Sequence, residues 1–126
     1  MQFQPKTEKE IAESRLLPKG EYDFEIIDAE ETTSAAGNEM IELKVRVSNG
    51  DGIARMLTDY LLARRPAKLR NCCAACGVLD KYESGVVSDD DFPGKRGRLK
   101  LGIEKKRGYP DRNVVADYLV TAPLAV

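Results

Sequence analysis

Four cations and one tyrosine crowd the segment EKKRGYPDRN, residues 104–113. Its centre, Gly-Tyr-Pro-Asp, has the composition of a turn. Cations neutralise the phosphates of a nucleic acid and release counterions, and an exposed aromatic ring stacks on a base. The segment therefore predicts contacts to single-stranded nucleic acid, with Tyr109 stacking on a base. The cations that would neutralise phosphates are Lys105, Lys106, Arg107 and Arg112.

Charge is segregated along the sequence, although the formal net charge is only −1. Residues 95–112 contain eight Lys or Arg and two acids, a net charge of +6, whereas residues 21–31 contain six acids and no base. Segregation of this kind indicates a charged binding surface. Cations on solvent-facing strand positions also protect a sheet edge from aggregation, so a purely structural role stays open.

Three cysteines, Cys72, Cys73 and Cys76, form the next cluster that could do chemistry. Because the chain has no histidine, a Cys-His nucleophile and every His-containing metal site are excluded. Three thiolates also fall short of the four ligands of a closed zinc site, and the βαβ context of a redox Cys-x-x-C motif is missing. The thiols share one helical stripe with Leu69, which predicts that they pack in the core.

The acidic run Ser88-Asp89-Asp90-Asp91 is a candidate for hard-cation binding or metal-assisted hydrolysis. Adjacent carboxylates on one short loop seldom converge on a single ion, so we expect a solvated loop or a turn cap. Glycine patterns for nucleotide binding are missing, since Gly94-Lys95 lacks the upstream glycine of a P-loop. We therefore predict no enzymatic activity, no metal site and no cofactor. A metal-dependent nuclease built on Asp89–Asp91 is the weaker alternative.

Hydrophobic periodicity predicts five short strands and one helix. The predicted strands cover residues 20–26, 38–48, 53–62, 96–106 and 113–120. Pro66 suits the first turn of a helix that Gly77 ends, and residues 80–94 are expected to be a loop. The residues of strand three that are expected to face inward are Ala54, Met56, Tyr60 and Leu62.

Three strands in a meander, then a helix, then a two-stranded hairpin is the connectivity of an OB-fold. We therefore predict an all-β protein with one helix: a five-stranded, OB-fold-like antiparallel β-barrel with the helix between strands three and four. An SH3-like barrel, or another small β-barrel with a helix insertion, is the alternative. The domain is expected to span residues 18–122, preceded by an arm or short helix (1–17) and followed by a C-terminal end (123–126).

In an OB-fold, the loops between strands one and two and between strands four and five flank the face of strands two and three that binds oligonucleotides. Residues 32–38 and 107–112 would form these loops. Further cations are expected to point outward from the strands and to extend the binding surface, the first three of them on the binding face itself. They are Lys44, Arg46, Arg55, Arg98 and Lys100.

Aromatic residues available for base stacking are few. Tyr22, Phe24 and Tyr60 are expected to lie in the core. This leaves Tyr82 and Phe92 as the stacking candidates besides the tyrosine of the cationic segment.

The segments LLPKGEYDFEI, SAAGNEMIELKVRV, DDFPGKRGRLKL and GYPDRNVVADYL follow one another in this order. Together they resemble a family of small phage- and prophage-encoded proteins, catalogued as a domain of unknown function and regarded as single-stranded-DNA-binding. The similarity runs from residue 16 to residue 120. Its most specific positions are Gly20-Glu21-Tyr22, Gly37-Asn38, Gly94-Lys95, Gly108-Tyr109-Pro110 and Asn113.

This resemblance implies an OB-like fold, no enzymatic activity and a role in handling single-stranded DNA beside phage replication or recombination enzymes. The partners considered are therefore single-stranded DNA, those enzymes and further copies of the chain. A protein–protein scaffold or loader for replication enzymes is the main alternative, motivated by the acidic residues 21–31 and the scarcity of aromatic residues.

The sequence also predicts a compartment. No run of about 18 apolar residues is present. The polar start MQFQPKTEKE lacks the apolar core of a secretory signal, and an odd number of cysteines argues against a disulfide framework. These features predict a cytoplasmic protein (in the host cytoplasm if it is phage-encoded) with no membrane association.

Overall fold

The protein is described by a computed structural model that covers residues 1–8, 16–50, 52 and 54–120. In chain order its elements are β1 (Gly20–Thr33), β2 (Glu39–Ser48), β3 (Ala54–Leu62), α1 (Pro66–Ala75), α2 (Leu79–Ser84), a 3₁₀ turn (Asp89–Asp91), β4 (Arg96–Glu104) and β5 (Arg112–Leu119). Of the arm or short helix predicted for residues 1–17, residues 9–15 lie outside the described residues, as does the predicted C-terminal end (123–126).

All five strands form one antiparallel sheet in the order β3-β2-β1-β4-β5. This confirms a mostly β fold with the main helix between the third and fourth strands. The sheet is not closed: β3 and β5 are its two edges, and we call the space between them the seam.

Strand β1 is the centre of the sheet because it pairs on both sides. Its first residues, from Gly20 to Glu25, pair with β4, while residues from Asp23 to Thr33 pair with β2. The β1–β2 register shifts between Ile26 and Asp28, which marks a bulge. Strand β1 therefore connects the two halves of the sheet and bends where they meet.

Alternation along the strands builds the core, as period two predicts. Tyr22, Phe24 and Ile26 of β1 are buried, and the intervening acids are exposed or half-buried. The same alternation buries residues of β2 and β4: Leu43, Val45, Val47, Leu99 and Leu101. Helix α1 covers this inner face with the fully buried Cys72 and Cys73.

The predicted inner face of β3 is wrong by one residue. Asp59 and Leu61 are buried, whereas Met56 is 56% exposed and Tyr60 is 44% exposed. The register agrees, because Tyr60 pairs with Glu42 on the outer face of β2, not with a core residue. Apolar side chains thus lie on the outer face of an edge strand, and a carboxylate points inward.

A hydrogen-bonded network explains this inversion. One Asp59 oxygen accepts a hydrogen bond from the Tyr118 hydroxyl at 2.7 Å, and the other lies 2.7 Å from the Lys68 ammonium. A buried carboxylate is tolerated only when such partners replace water. Burial, the neighbouring Cys72 thiol and the Asp59 carboxylate raise the pKa of Tyr118, which keeps its hydroxyl protonated as a donor. The network links β3, β5 and α1 across the seam.

Two further differences concern local elements. Residues 80–94 are not all loop, since α2 occupies Leu79–Ser84 and a 3₁₀ turn occupies Asp89–Asp91. Six residues are too short for periodicity to reveal a helix. Helix α1 begins at Pro66, as predicted, and ends just before Gly77.

Gly97 is required where β4 passes under α1. A Cβ atom at this position would lie 2.9 Å from a Phe24 ring carbon and 3.0 Å from the Ala75 carbonyl oxygen. Gly97→Ala is therefore expected to lower the free energy of unfolding by about 1–3 kcal/mol, measured by urea denaturation. Gly102→Ala on the same strand is the matched control, because its Cβ would meet Ala116 at an ordinary 3.5 Å. Equal effects of the two changes would contradict this packing.

Tyr118→Phe tests the network across the seam. The ring and its edge-to-face contact with Phe24, at 5.3 Å between centroids, are kept, while Asp59 loses a hydrogen-bond donor. We expect the free energy of unfolding to fall by about 1–3 kcal/mol, since a buried acceptor is left unsatisfied. Tyr60→Phe, which removes an exposed hydroxyl, should leave stability unchanged in the same urea titration.

Candidate nucleic-acid interface

The turn between β4 and β5, residues 105–111, carries the exposed aromatic and basic residues. Gly108 has φ +84°, a left-handed conformation that glycine adopts without strain, and the Tyr109 amide donates to the Lys106 carbonyl at 3.0 Å. These features hold Tyr109 outward, and the residue is 65% exposed. The Lys106 ammonium lies 5.0 Å from the ring centroid, a cation–π contact over one face.

Lys105 and Arg107 are exposed on the same turn. Neither forms an ion pair within the parts of the chain that the structure describes. Arg112 differs, because it is the first residue of β5 and its guanidinium lies 3.0 Å from Glu104. The loop predicted for residues 107–112 therefore begins two residues earlier and ends one residue earlier, and one of the four cations of the segment is already paired with a carboxylate.

Asn113 explains how the turn is attached to the start of the domain. Its side-chain oxygen accepts from the Leu17 amide at 2.8 Å, and its side-chain nitrogen donates to the Leu17 carbonyl at 2.8 Å. These two bonds fix residue 17 against β5 in the way a strand pairing would. A side chain thus completes the backbone hydrogen bonding at this end of the sheet.

Outward-facing cations on the sheet are interleaved with acids. Arg98 lies 3.0 Å from Asp23, and Arg96 lies 3.6 Å from Glu25. Both acids belong to β1, which lies between β2 and β4. Lys100 is exposed and pairs in register with Glu21 of β1 and Asp117 of β5. Because most of these cross-strand neighbours are of opposite sign, the outer face is a mixed-charge surface on which the predicted cations alternate with acids.

On β2 the two predicted cations point outward, as expected. The Lys44 ammonium lies 3.0 Å from Glu42 and donates to the Thr58 hydroxyl at 3.1 Å. Arg46 is exposed and faces Met56 in the β2–β3 register.

Arg55 does not lie on this face. It pairs with the buried Val47, so it occupies the inner side of β3 at the beginning of the strand, where its guanidinium donates to the Ala54 carbonyl at 3.1 Å. The cause is the one-residue difference in the facing of β3. The same difference places Tyr60 on the outer face, although the sequence pattern predicts that it lies in the core.

The remaining stacking candidates are not available. Phe92 is fully buried, and Tyr82 is half-buried against the core. The exposed tyrosines in the described part of the chain are Tyr60 and Tyr109. No pattern in the sequence predicts that Tyr60 is solvent-exposed, because the apolar residues of β3 favour a strand whose opposite face points to the core.

The two loops predicted to flank one face lie at opposite ends of β1. The β1–β2 turn follows Thr33, whereas the β4–β5 turn follows Glu104, beyond the pair Gly20–Leu101. Strand β1 is 14 residues long, about 45 Å along the chain at the usual rise per residue.

The cysteine and aspartate clusters have the structural roles predicted for them. All three thiols are buried, and burial raises the pKa of Cys72 and, to about 11, that of Cys73. In the acidic run, Ser88 and Asp91 form a reciprocal cap of the 3₁₀ turn. Asp89 accepts a hydrogen bond from the Glu31 amide at 3.1 Å. These carboxylates serve backbone donors.

Fold and interface define a mostly β protein of five antiparallel strands with a basic, tyrosine-bearing hairpin turn. Residues 6–83 match the family described as "Protein of unknown function (DUF669)". The match covers more than half of the chain, which therefore belongs to this family. It includes β1 to β3 and α1 and ends within α2, so β4, β5 and their turn lie outside it. No curated protein matches the chain. None of the described helices is both long and apolar enough to cross a bilayer.

Thiol reactivity tests the packing assigned to α1. With a pKa of about 11 instead of 9.0, the Cys73 thiol is almost entirely protonated at pH 8, and only the thiolate is a nucleophile. We expect the three cysteines to react with a thiol reagent at pH 8 at least about tenfold more slowly in the native protein than in urea. Rapid native modification, followed by absorbance or mass spectrometry, would show that α1 leaves its thiols accessible.

Proposed function

We propose that this protein is a non-catalytic single-stranded-DNA-binding protein whose main contact is the β4–β5 turn. The observation that carries the proposal is the exposed Tyr109 ring beside Lys105 and Arg107, neither of which has an ion-pair partner among the described residues. A flexible polyanion with free base faces matches this pairing of a ring with cations.

Single strands fit this site better than duplex. In a duplex the faces of the bases are covered by their neighbours, so Tyr109 would contribute nothing, whereas a splayed base can stack on it. The mixed charge of the sheet removes the broad basic surface that backbone-only duplex binding needs. The turn offers few but exposed phosphate contacts.

A second contact, on the outer face of β2 and β3, would lengthen the surface along which the single-stranded DNA binds. Tyr60 is exposed there, with Lys44 and Arg46 on the neighbouring strand. A base stacked on Tyr60 would bring its phosphates toward these two cations. Since Lys44 also contacts Glu42, this contact is weaker electrostatically than the turn.

The sequence resemblance supports a setting in phage DNA replication or recombination, with the protein handling single strands beside the enzymes of those processes. Membership of a family of unknown function is consistent with this setting and adds no activity of its own.

A protein–protein scaffold is the second candidate, and one specific observation favours it. Met56 and Tyr60 expose apolar surface on an edge strand beside a mixed-charge face. Surfaces of this composition are typical of protein interfaces. Under this alternative the β2–β3 face would bind a replication enzyme, and oligonucleotides would bind weakly or not at all.

Fluorescence polarisation of labelled oligothymidine at two salt concentrations tests DNA binding. With about four phosphate contacts, the log–log salt slope should be about −3, which is a loss of about fiftyfold in affinity between about 50 and 200 mM salt. Tyr109→Ala should weaken binding about thirtyfold, the middle of the range for one stacked base. Arg107→Gln should make the slope shallower by about 0.7.

Lys81→Gln is the matched control for charge, because Lys81 is an exposed lysine on α2, away from the turn. It should change neither affinity nor slope. Absence of binding at micromolar protein in low salt would overturn the proposal. Undiminished binding by Tyr109→Ala and Arg107→Gln together would overturn the assignment of the turn.

A further inference from the structure

The β4–β5 turn forms a depression of about 410 Å³ that combines an aromatic wall with carboxylates. It is lined by Glu104, Lys106, Tyr109, Pro110, Asp111 and Arg112. Its volume lies in the range of small-ligand sites. Phosphate binding alone would not require a carboxylate in this depression, so a carboxylate without a partner calls for a separate role.

The two carboxylates differ in whether they already have an ion-pair or hydrogen-bond partner. One Glu104 oxygen accepts a hydrogen bond from Arg112 Nε at 3.0 Å, and Nη2 of the same guanidinium lies 3.0 Å from that oxygen. Asp111 is half-buried and has no ion pair or side-chain hydrogen bond in the described ranges. Asp111 is therefore the acceptor that remains available beside the Tyr109 ring.

We propose that this depression binds a guanine base, stacked on Tyr109 and hydrogen-bonded to the Asp111 carboxylate. An ionised carboxylate only accepts hydrogen bonds, and its two oxygens are matched by two adjacent donors. Guanine presents adjacent donors, N1–H and N2–H, on its Watson–Crick edge. The inference rests on the proposed binding of single strands, in which that edge is free.

The other bases fit a lone carboxylate less well. Cytosine and adenine each place a ring-nitrogen acceptor beside their amino group, and that acceptor would face the second carboxylate oxygen. Thymine offers one donor between two carbonyl acceptors. An acceptor that faces a carboxylate oxygen is repelled by it, so the donor pattern of the Watson–Crick edge favours guanine.

The ring and the surrounding cations make the site compatible with a polyanion. The Lys106 ammonium lies over one face of Tyr109, which leaves the opposite face for the base. Lys106, with the exposed Lys105 and Arg107, offsets the charge of Asp111 as phosphates approach. Stacking supplies affinity without regard to sequence, and the carboxylate supplies the preference.

Competition polarisation with three 15-mers tests the proposal. The three oligomers differ only at every third base, which is thymine in the first, guanine in the second and hypoxanthine in the third; all other bases are thymine. Hypoxanthine differs from guanine only in lacking the N2 amino group. We expect the guanine oligomer to bind at least about fivefold more tightly than the thymine oligomer, the lower end for a bidentate contact. The hypoxanthine oligomer should lose most of this gain.

Asp111→Asn should abolish the preference while leaving binding to the thymine oligomer intact or slightly tighter, because an amide offers one acceptor and removes a negative charge. Asp90→Asn is the matched control: Asp90 is exposed on the 3₁₀ turn, and its loss should leave the preference unchanged. Equal affinity for the three oligomers, or a preference that survives in Asp111→Asn, would overturn the guanine site and leave the DNA-binding proposal standing. Failure of all three oligomers to bind would overturn both.

Discussion

A carboxylate buried between two free sheet edges sets the geometry of this protein. Asp59 brings together β3, β5 and α1 through the Tyr118 hydroxyl and the Lys68 ammonium, each 2.7 Å away. Because a desolvated carboxylate is costly without these partners, it fixes which face of β3 points inward. The exposure of Tyr60 and Met56, the inner-side position of Arg55 and the proximity of the two edges all follow from that one contact.

The second organising constraint is electrostatic. The acidic strand β1 lies between β2, whose Lys44 and Arg46 point outward, and the basic strand β4, so most charges on the outer face have a neighbour of opposite sign. Charges of one sign that are grouped along the chain thus lie beside charges of the opposite sign across the sheet. Where β4 runs beyond the start of β1, cations outnumber acids, and that place is the hairpin turn with Tyr109 at its tip.

How much of the structure could be predicted from the sequence depended on how far apart the interacting residues lie along the chain. Period-two alternation correctly predicted the buried residues of β1, β2 and β4, and the helical stripe correctly predicted the buried cysteines. Both patterns are local. The facing of β3 depends on Tyr118, 59 residues away, and the pairing of cations with acids depends on strand order, so neither can be read from spacing. Within the candidate site, the exposed tyrosine was predictable; the neutralisation of Arg112 by Glu104 was not.

The seam has a mechanical consequence. Each edge strand keeps its full ladder of backbone hydrogen bonds to its own neighbour, and side chains alone join the two edges among the described residues. Side chains therefore hold the two edges of the sheet around α1. The Tyr118–Asp59–Lys68 network joins both edges to the helix, and Asn71 with Asp117 adds a second polar contact between α1 and β5.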